Sequence, residues 1–454
     1  MKRPWFLRLA FWIGVVVFCA VGGNELRWSK KIPFDGAPDE ADHYALVKFV
    51  ADHGRLPRYG EDNFAVHLMG KNRRRLPADT SPEHLEMLVR GSGAHEMRIT
   101  YIFSPQAPYW LSGMVARCLG GASEAKARGF DSFCIALAAL CTYAAGLLLW
   151  GKVWAAAVAA LCFGLWPQVS FVGAYVNDDA YAILALAVFV CAAAWVQRDG
   201  FGRKQALVHG LALGAVAAAK IYVYAVFPLV LVWWGLLWRR HGKVFLTRLA
   251  WSAGIAALIA VPWFVRNAIL YDGDFTGRRT MAARAREYID SLPPSVREKT
   301  HLLFSQEQQG VTLPEAFKRG FVRHSMESFW GRFGWMHLRF LPSAYERAFQ
   351  VLALALGLSL ACLPLLRASG GLRTGVPHLF ALPYLALLIG LGLYNCLTVD
   401  FQPQGRYFLT CVPALCLQLV DAPARGKWWL EPVAWALLAF FIHQNLTAYR
   451  TVLG

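Results

Sequence analysis

Long apolar runs recur along the chain, and short polar or basic stretches separate most of them. Each run has about 16 to 22 residues, close to the roughly 20 residues that an α-helix needs to cross the hydrocarbon of a bilayer. The pattern therefore predicts about eleven membrane-spanning helices. Their predicted positions are 4–22, 130–150, 152–171, 178–197, 205–220, 221–238, 248–267, 347–366, 378–396, 407–421 and 429–447. Lys220 interrupts the apolar run between the fifth and sixth spans, so that boundary is the least well defined.

The composition supports this interpretation. Hydrophobic residues make up 57% of the 454 residues and charged residues only 17%, with a mean hydropathy of +0.37. A soluble protein could not bury that much apolar surface in its core. We therefore expect an all-α polytopic membrane protein in which residues 1–454 form a single membrane domain. Two long connections, 23–129 and 268–346, are expected to form loops outside the bilayer.

Basic residues concentrate in alternate short connections, and this predicts the orientation of the chain. Short cytoplasmic loops retain Lys and Arg, which places the N-terminus in the cytoplasm and both long loops on the far side of the membrane. The basic connections are Lys2 to Arg8, Lys152, Arg198 to Lys204, Arg239 to Arg248, Arg367 with Arg373, and Arg425 with Lys427. Much of the net charge of +17 thus comes from basic residues that set the orientation of the chain in the membrane. It is not a sign of nucleic-acid binding.

Some basic residues lie in the far-side loops instead, including Arg73-Arg74-Arg75 and Arg278-Arg279. They are either solvated or in contact with anionic lipid head groups or phosphates. The first span itself resembles a signal peptide, with Ala20-Val21-Gly22 as a possible cleavage site. We expect this span to be retained, because the residues after it look like a site that needs to be held at the membrane surface.

Two stretches of the first long loop have helical spacing of apolar residues, Pro38 to Asp52 and Ser104 to Leu119. Both are too short or too polar to cross the bilayer, so they are expected to lie along its surface. Residues 55–100 between them are polar and charged, as expected of a partly ordered flap. The second long loop contains Pro293-Pro294 and ends in an aromatic, glycine-rich stretch over 328–335.

An acidic motif follows the first span. Asp39 and Glu40 lie at the predicted start of a helix, with Pro38 as its first residue, and His43 falls on the same helical face as Asp39. The helix dipole favours ionised carboxylates at this position. A carboxylate that accepts a proton from a hydroxyl group is what glycosyl transfer to an alcohol requires. The alternative is a purely structural role as a helix cap.

A second group of charged residues lies near the far-side ends of predicted spans. Ionisable residues at membrane depth are costly and usually mark a site or a pathway, although snorkelling or an internal ion pair would also explain each of them alone. The group consists of Asp178, Asp179, Lys220, Arg266 and Arg406. Since all are expected near one membrane face, the lysine and arginines could meet a phosphate there.

A metal site has weaker support. The triplet Asp272-Gly273-Asp274 looks like the D-x-D pattern that binds a divalent cation with sugar phosphates, but a glycine turn between solvated acids explains it equally well. Four isolated histidines, at His67, His84, His95 and His301, lack metal-ligand spacing. The ten cysteines are scattered singly and are expected to be small core residues. We therefore predict no required cofactor and no metal ligand.

A series of short motifs follows one after another along the chain. They are Pro38-Asp39-Glu40-Ala41-Asp42-His43-Tyr44, His53-Gly54-Arg55-Leu56-Pro57, Ser104-Pro105-Gln106-Ala107-Pro108-Tyr109-Trp110, Val176-Asn177-Asp178-Asp179-Ala180, Ala219-Lys220, Pro262-Trp263-Phe264-Val265-Arg266-Asn267, Phe329-Trp330-Gly331-Arg332-Phe333-Gly334-Trp335 and Gln404-Gly405-Arg406-Tyr407. Together they resemble the GT-C superfamily of polyprenyl-phosphate-sugar-dependent glycosyltransferases. Within it, the chain looks most like the bacterial DUF2142 group, whose relatives include protein O-mannosyltransferases and lipid A aminoarabinose transferases.

The resemblance implies a catalytic base at Asp39, with Glu40 and His43 as supporting catalytic candidates. Where relatives often have His-Pro-Pro or Gln-Pro-Pro, this chain has Gln106-Ala107-Pro108, so Gln106 is a less certain contact. The substrate-binding candidates are Gln106, Asp178, Asp179, Lys220, Arg266, Asn267, Trp330, Arg332, Gln404, Arg406 and Tyr407. The reaction implied is an inverting transfer of a sugar from a polyprenyl-phosphate donor to a hydroxyl of a glycan, glycolipid or protein acceptor. A bacterial inner membrane with the active site on the periplasmic face is implied as well.

Two other function classes remain open from the sequence. A transporter or flippase of lipid-linked glycans also combines many spans with intramembrane charges, but it would favour inverted repeats and charges at the bilayer midplane. An O-antigen polymerase or ligase would use the same lipid carriers. It would place its main external loop late in the chain and would not need an acidic motif directly after the first span.

Overall fold

The computed structural model describes residues 4–59, Asp62, 100–283, 312–368, 375–398, 401–426 and 428–453. Its regular elements are almost entirely helical. The α-helices are α1 (Pro4–Ser29), α2 (Glu40–His53), α3 (Ala107–Cys118), α4 (Glu124–Trp150), α5 (Val153–Gly164), α6 (Pro167–Val172), α7 (Asp179–Asp199), α8 (Arg203–Ala217), α9 (Phe227–His241), α10 (Lys243–Leu270), α11 (Leu313–Lys318), α12 (Phe321–Trp330), α13 (Pro342–Ala368), α14 (Gly375–Phe380), α15 (Leu382–Thr398), α16 (Val412–Arg425) and α17 (Glu431–Leu453).

Short elements join these helices. The 3₁₀ turns are Thr100–Phe103, Ile221–Val226, Gly405–Cys411 and Trp428–Leu430, and the strands β1 (Arg332–Phe333) and β2 (Leu338–Arg339) form an antiparallel hairpin. Four sets of residues named above lie outside the described residues, so the structure does not bear on them. They are Arg73 to Arg75, the four isolated histidines, the Pro293-Pro294 pair and most of the flap predicted over 55–100.

Eight helical segments in the described part of the chain are long and apolar enough to cross a membrane. They are Pro4–Ser29, Glu124–Trp150, Asp179–Asp199, Ile221–Arg239, Lys243–Leu270, Pro342–Cys362, Gly375–Thr398 and Gly405–Arg425. The three other predicted spans, 152–171, 205–220 and 429–447, also coincide with helices, which fall short of that length or hydropathy. The polytopic all-α fold class is confirmed, while the count of eleven spans and the orientation stay predictions.

Small residues let the central helices approach closely. Helix α4 packs against α1, α5 and α7, and its buried face is rich in alanine. A Cβ atom on Gly146 of α4 would lie 2.9 Å from the Cα atom of Ala156 of α5. Without a strong hydrophobic drive between helices in lipid, such close contacts are a main source of helix association. The central helices therefore form a tightly packed frame for the residues at their ends.

The two amphipathic stretches of the first long loop are helical, as predicted, and form α2 and α3. They pack against each other, with a Cβ atom on Gly113 of α3 placed 2.6 Å from the Cβ atom of Val50 of α2. Most of α2 is buried, including Leu46 and Phe49. This packing joins α2 and α3 into one layer that also contacts α4, rather than leaving two independent surface helices.

The chain is not α-helical at several of the charged positions that the sequence analysis selected. Lys220 lies between the end of α8 and a 3₁₀ turn, and Arg406 lies in the 3₁₀ turn before α16. Helix α7 begins at Asp179, where the side-chain oxygen of Asn177 accepts hydrogen bonds from the backbone N–H groups of Asp179 and Ala180. The uncertain boundary at Lys220 is therefore a true interruption between two helices.

Candidate active site

Asp39 precedes the first residue of α2 and has a left-handed backbone conformation, with φ of 61° and ψ of 10°. Helix α2 begins at Glu40, so Pro38 is not its first residue as predicted. The carboxylate of Asp39 makes no capping hydrogen bond to α2. Left-handed non-glycine residues are uncommon and often occur at functional sites, which makes Asp39 a strong candidate here.

Arg406 is the cationic partner of Asp39. One guanidinium nitrogen, Nη2, lies 3.7 Å from Oδ2 of Asp39, and Nη1 donates a long hydrogen bond of 3.5 Å to the hydroxyl of Tyr175. The Arg406 side chain is 8% exposed and that of Asp39 is 31% exposed. Nε of Arg406 is buried and has no hydrogen-bond partner within the described residues. The Asp39 carboxylate of this pair is thus accessible to solvent. The Arg406 guanidinium is buried and keeps one N–H group available as a hydrogen-bond donor among the described residues.

Gly405 determines where Arg406 lies. Its backbone N–H donates a 2.6 Å hydrogen bond to Oγ of Ser328 in α12. A Cβ atom on Gly405 would collide with the backbone carbonyl oxygen of Ser325. Only glycine permits this approach, so the position of Arg406 depends on the glycine that precedes it. Gln404 begins the same turn, and its Oε1 is buried without a hydrogen-bond partner among the described residues.

Lys220 lies beside this pair and is held by two carboxylates. Its Nζ donates to Oδ1 of Asp178 at 2.7 Å and to Oδ1 of Asp179 at 2.8 Å. It also lies 5.4 Å from the ring centre of Tyr407, which stacks on Tyr222. Four members of the predicted group, Asp178, Asp179, Lys220 and Arg406, therefore lie in one cluster with Tyr407, at the same end of the bundle as Asp39.

Glu40 has a different environment from its neighbour. It is fully buried, and its carboxylate accepts hydrogen bonds from Nε and Nη2 of Arg128 at 2.6 and 2.8 Å. It also accepts from the backbone N–H groups of Asp35 and Val176. With all these bonds made inside the protein, Glu40 is placed to fix the loop rather than to contact a substrate, which corrects its assignment as a catalytic candidate.

Arg128 extends this clamp to the segment before Asp39. Its guanidinium donates to the backbone carbonyls of Ser29, Ile32 and Pro33. The buried pair thus ties α4 to the chain that leads out of α1 and into α2. Sequence reasoning missed Arg128, because a single arginine at the start of a span looks like an ordinary interfacial residue.

His43 lies inside the loop layer. Its Nδ1 is 2.7 Å from the hydroxyl of Tyr109, and its ring lies against that of Tyr101, tilted by 39° with ring centres 4.2 Å apart. Burial lowers the pKa of His43 below its ordinary value, and nearby Lys220 adds to this effect, while Asp178 and Asp39 oppose it. His43 is therefore neutral at pH 7. Its ring contacts Tyr101 and Tyr109, and its backbone N–H donates to the carbonyl oxygen of Asp39 at 3.0 Å.

Burial also raises the pKa of Tyr101 well above its ordinary value, and the carboxylate of Asp39 acts in the same direction. Tyr101 consequently remains a neutral hydroxyl next to the cluster. Together with Tyr175, it gives the charged residues an uncharged, hydrogen-bonding border. Neither tyrosine belongs to a recognisable motif, so the sequence carried no signal for them.

Gln106 and Trp330 have structural contacts. The side-chain amide of Gln106 donates to the backbone carbonyls of Tyr101 and Ser104, and so closes the turn before α3. Trp330 is fully buried among aromatic rings that include Trp166 and Phe441. Trp330 therefore belongs to the core and does not face the cluster, contrary to its prediction as a substrate-binding residue.

Arg266 and Asn267 connect the two long loops. Nη2 of Arg266 donates a 2.6 Å hydrogen bond to the backbone carbonyl of Pro57, and its guanidinium lies over the ring of Trp263. Asn267 is fully buried, and its Nδ2 lacks a partner within the described residues. The contacts of Arg266 are thus with Pro57 in the first loop and with Trp263 of its own helix rather than with the Asp39 cluster.

The Asp272-Gly273-Asp274 triplet forms a turn. Asp274 accepts hydrogen bonds from the backbone and hydroxyl groups of Thr280 and from the hydroxyl of Thr276. Burial would raise its pKa, but these hydrogen bonds lower it below the ordinary value. Within the described ranges, no three His, Cys, Asp or Glu side chains come together as a metal-ligand group. Metal dependence stays untested, and the contacts of Asp274 are those of a structural turn.

A family model for dolichyl-phosphate-mannose-protein mannosyltransferases matches residues 73–272, slightly less than half of the chain. The match covers the second part of the first loop, the helices that carry Asp178, Asp179 and Lys220, and the Arg266-Asn267 pair. This match supports a membrane glycosyltransferase of the GT-C type. The closer resemblance to the DUF2142 group stays a prediction.

Two solved structures are similar to this chain over nearly its whole length. One is ArnT from Cupriavidus metallidurans bound to undecaprenyl phosphate, with 15% identity and a TM-score of 0.38, covering 93% of this chain and 79% of that one. The other is the Archaeoglobus fulgidus oligosaccharyltransferase tethered to an acceptor peptide, with 11% identity and a TM-score of 0.49. This chain spans only 55% of that protein. No curated protein sequence matches the chain.

Proposed function

We propose that this protein transfers a sugar from a polyprenyl-phosphate donor to an acceptor hydroxyl, with inversion at the anomeric carbon and Asp39 as the base. The observation that supports this proposal is the approach of the Asp39 carboxylate to within 3.7 Å of the Arg406 guanidinium, beside the Lys220 cluster. A base and a set of cations at one end of a membrane bundle match the two needs of the reaction. The matched family acts with dolichyl-phosphate mannose, a donor of this chemical class.

Asp39 would act on the acceptor. Its carboxylate accepts the proton of the acceptor hydroxyl as the oxygen attacks the anomeric carbon of the donor sugar. The new bond joins the acceptor oxygen to the anomeric carbon, and the bond from that carbon to the donor phosphate oxygen breaks with its electron pair. Because attack and departure take place on opposite sides of the carbon, the anomeric configuration inverts.

Arg406 and Lys220 would act on the leaving group. Negative charge develops on the phosphate as the sugar departs, and fixed cations in a site that excludes water stabilise such charge strongly. The unpaired Nε of Arg406 provides a donor for this purpose. Lys220 already holds two carboxylates, so it contributes mainly through its charge and through keeping Asp178 and Asp179 in place.

The proposal also includes the orientation. The basic short connections predict that this end of the bundle faces away from the cytoplasm, and a lipid-linked donor is usable there because it requires no nucleotide sugar. In a bacterial cell this face would be the periplasmic side of the inner membrane. The acceptor remains a hydroxyl of a glycan, a glycolipid or a protein.

The test is a transfer assay with purified protein in detergent. A panel of radiolabelled polyprenyl-phosphate sugars is incubated with the wild-type protein. The measurement is the polyprenyl phosphate that is freed when the sugar is transferred to water or to an added acceptor. We expect release from at least one sugar and none with Asp39→Asn. The matched control is Asp52→Asn, because Asp52 lies on the same helix in a surface pair with Lys48. Equal release by wild type and Asp39→Asn would remove Asp39 as the base.

A further inference from the structure

The hairpin after α12 places two arginines opposite each other. In the two-residue ladder of β1 and β2, Arg332 pairs with Arg339. Directly opposed residues in an antiparallel pair project from the same face, and like charges at such positions are destabilising. This arrangement costs stability in the free protein, which suggests that the two guanidinium groups serve a ligand.

Nearby residues compensate only part of this charge. Glu327 forms an ion pair with Arg332 at 3.1 Å and also accepts a hydrogen bond from Arg323. Arg339 is exposed and has no acidic partner in the part of the chain that the structure describes. Arg323 and Arg332 therefore share one carboxylate. With Arg339 included, the patch keeps an excess of two positive charges.

The other titratable group at this patch is uncharged. Burial lowers the pKa of His324 below its ordinary value, and the adjacent Arg332 acts in the same direction. Its Nδ1 is buried without a hydrogen-bond partner within the described residues, and so is Nε of Arg332. Among the described residues, the patch thus contains an unused hydrogen-bond donor, Nε of Arg332, as well as uncompensated charge. We call Arg323, His324, Glu327, Arg332 and Arg339 the hairpin patch.

The hairpin patch is built on elements that also hold the candidate active site. Nε1 of Trp335, in the turn of the hairpin, donates a 2.8 Å hydrogen bond to the backbone carbonyl of Asp35, four residues before Asp39. Ser328 of α12, which follows Glu327, accepts the hydrogen bond from Gly405 beside Arg406. The patch is nevertheless distinct, because the ion pair of Arg332 is with Glu327 whereas Arg406 approaches Asp39.

We propose that the hairpin patch binds a phosphate group carried by the acceptor. The inference rests on the proposed function, in which Arg406 and Lys220 take the donor phosphate, so a second cationic site on the same support serves a second anion. Arginine side chains match a phosphate well, because the planar guanidinium donates two parallel hydrogen bonds. The acceptor class is therefore a phosphorylated lipid or a phosphorylated glycan, oriented so that its hydroxyl reaches Asp39.

Two probes distinguish the sources of that phosphate. The first is phosphatidic acid at low content in phosphatidylcholine nanodiscs that hold the purified protein, and the second is soluble glucosamine 1-phosphate. Binding of each is measured by titration for the wild type and for Arg339→Glu. We expect binding of at least one probe, weakened about tenfold or more by the charge reversal. Binding of only the lipid would assign a lipid acceptor, and binding of only the sugar phosphate would assign a glycan.

Two controls keep the result interpretable. Arg319→Glu changes an exposed arginine of the preceding helix, which pairs with Glu315, and it should leave probe binding unchanged. Arg339→Gln removes the charge without reversing it and should give an intermediate loss. No binding of either probe by the wild type, or equal binding by the wild type and Arg339→Glu, would overturn the proposal.

The failure of this proposal can be told apart from failure of the proposed function. Release of polyprenyl phosphate to water needs the donor and Asp39 but no anchored acceptor, so Arg339→Glu should retain it. Loss of probe binding with unchanged release supports the hairpin patch as an acceptor site. If the wild-type protein releases no polyprenyl phosphate from any donor, the proposed function fails, and the binding titration still decides whether the patch takes phosphate.

Discussion

Two clusters of charged residues lie at opposite ends of the bundle. They differ in how many of their polar atoms have hydrogen-bond or ion-pair partners within the protein. At the end of α16, the fully buried Asp421 accepts hydrogen bonds from Arg425 at 2.6 Å and from Trp150 at 2.8 Å. His378 lies 3.4 Å from the other carboxylate oxygen and contacts Gln418. The partners of Asp421 all come from the protein, so this cluster joins helix ends.

The Asp39 cluster is built from the same residue types but remains open. Asp39 is partly exposed, its distance to Arg406 is 3.7 Å, and Arg406 keeps an unpaired Nε among the described residues. A closed network stabilises a fold, whereas an open one retains charge and donors for a ligand. The difference teaches that a buried ionisable residue in a membrane protein indicates a ligand site only when its cluster keeps charge or hydrogen-bond donors that the protein itself does not use.

The largest expected effect is that of Asp39→Asn. Removal of a general base lowers the rate of transfer by about 10² to 10⁴-fold. Folding should be unaffected, because the Asp39 side chain does not cap its helix. The measurement is release of radiolabelled polyprenyl phosphate, with thermal unfolding as the check on folding. A variant that unfolds at a much lower temperature would make Asp39 a structural residue like Asp421.

Arg128→Met should be the most destabilising change near the site. It leaves the carboxylate of Glu40 buried without its ion-pair partner, and breaking a buried pair costs about 3 to 5 kcal/mol. The double variant Glu40→Gln with Arg128→Met should recover part of that loss. Thermal unfolding in detergent measures both effects. A double variant no more stable than the single one would contradict the clamp.

Arg406→Ala should raise the apparent KM for the donor by about ten- to a hundredfold, because a charge-assisted contact to phosphate is lost. The matched change at the closed cluster is Arg425→Ala, which should lower the unfolding temperature and leave the donor KM unchanged. Steady-state release assays at several donor concentrations measure the two variants. An unaltered donor KM in Arg406→Ala would count against the phosphate role.

Asp421→Asn should lower stability by about 1 to 3 kcal/mol, because the neutral amide weakens the hydrogen bonds from Arg425 and Trp150. We expect turnover per folded molecule to stay within a factor of about two, since no reacting group is involved. The readouts are thermal unfolding and release assays at low temperature. A loss of turnover comparable to that of Asp39→Asn would erase the distinction between the two clusters.

The smallest expected effect concerns His43 and pH. Its pKa is lowered in the folded protein from the ordinary value of 6.5, so the unfolded chain binds the proton more readily. The contribution of His43 to the free energy of unfolding is therefore complete above about pH 6.5. It is lost as the pH falls from there toward the pKa of His43 in the folded protein. His43→Gln should flatten this dependence. Unfolding temperatures measured between pH 5 and 8 compare the two proteins.

Part of the site followed from the sequence alone. Asp178, Asp179, Lys220 and Arg406 were selected because charges are costly near membrane spans, and Asp39 because it lies in an acidic motif at a helix start. The structure brings these residues together. Trp330 and Gln106 were selected by motif, yet one belongs to the core and the other closes a turn. Short motifs do not distinguish a residue that builds a site from one that contacts a ligand.

The sequence by itself determined the fold class, because runs of apolar residues long enough to span hydrocarbon have no other stable environment. It also marked the acidic motif, since adjacent carboxylates at a predicted helix start just after a span form a local pattern. Only the tertiary structure decided the roles of the two adjacent acids Asp39 and Glu40. Arg128 is 88 residues from Glu40 in the chain, and no local pattern could reveal that it holds one carboxylate while leaving the other to face Arg406.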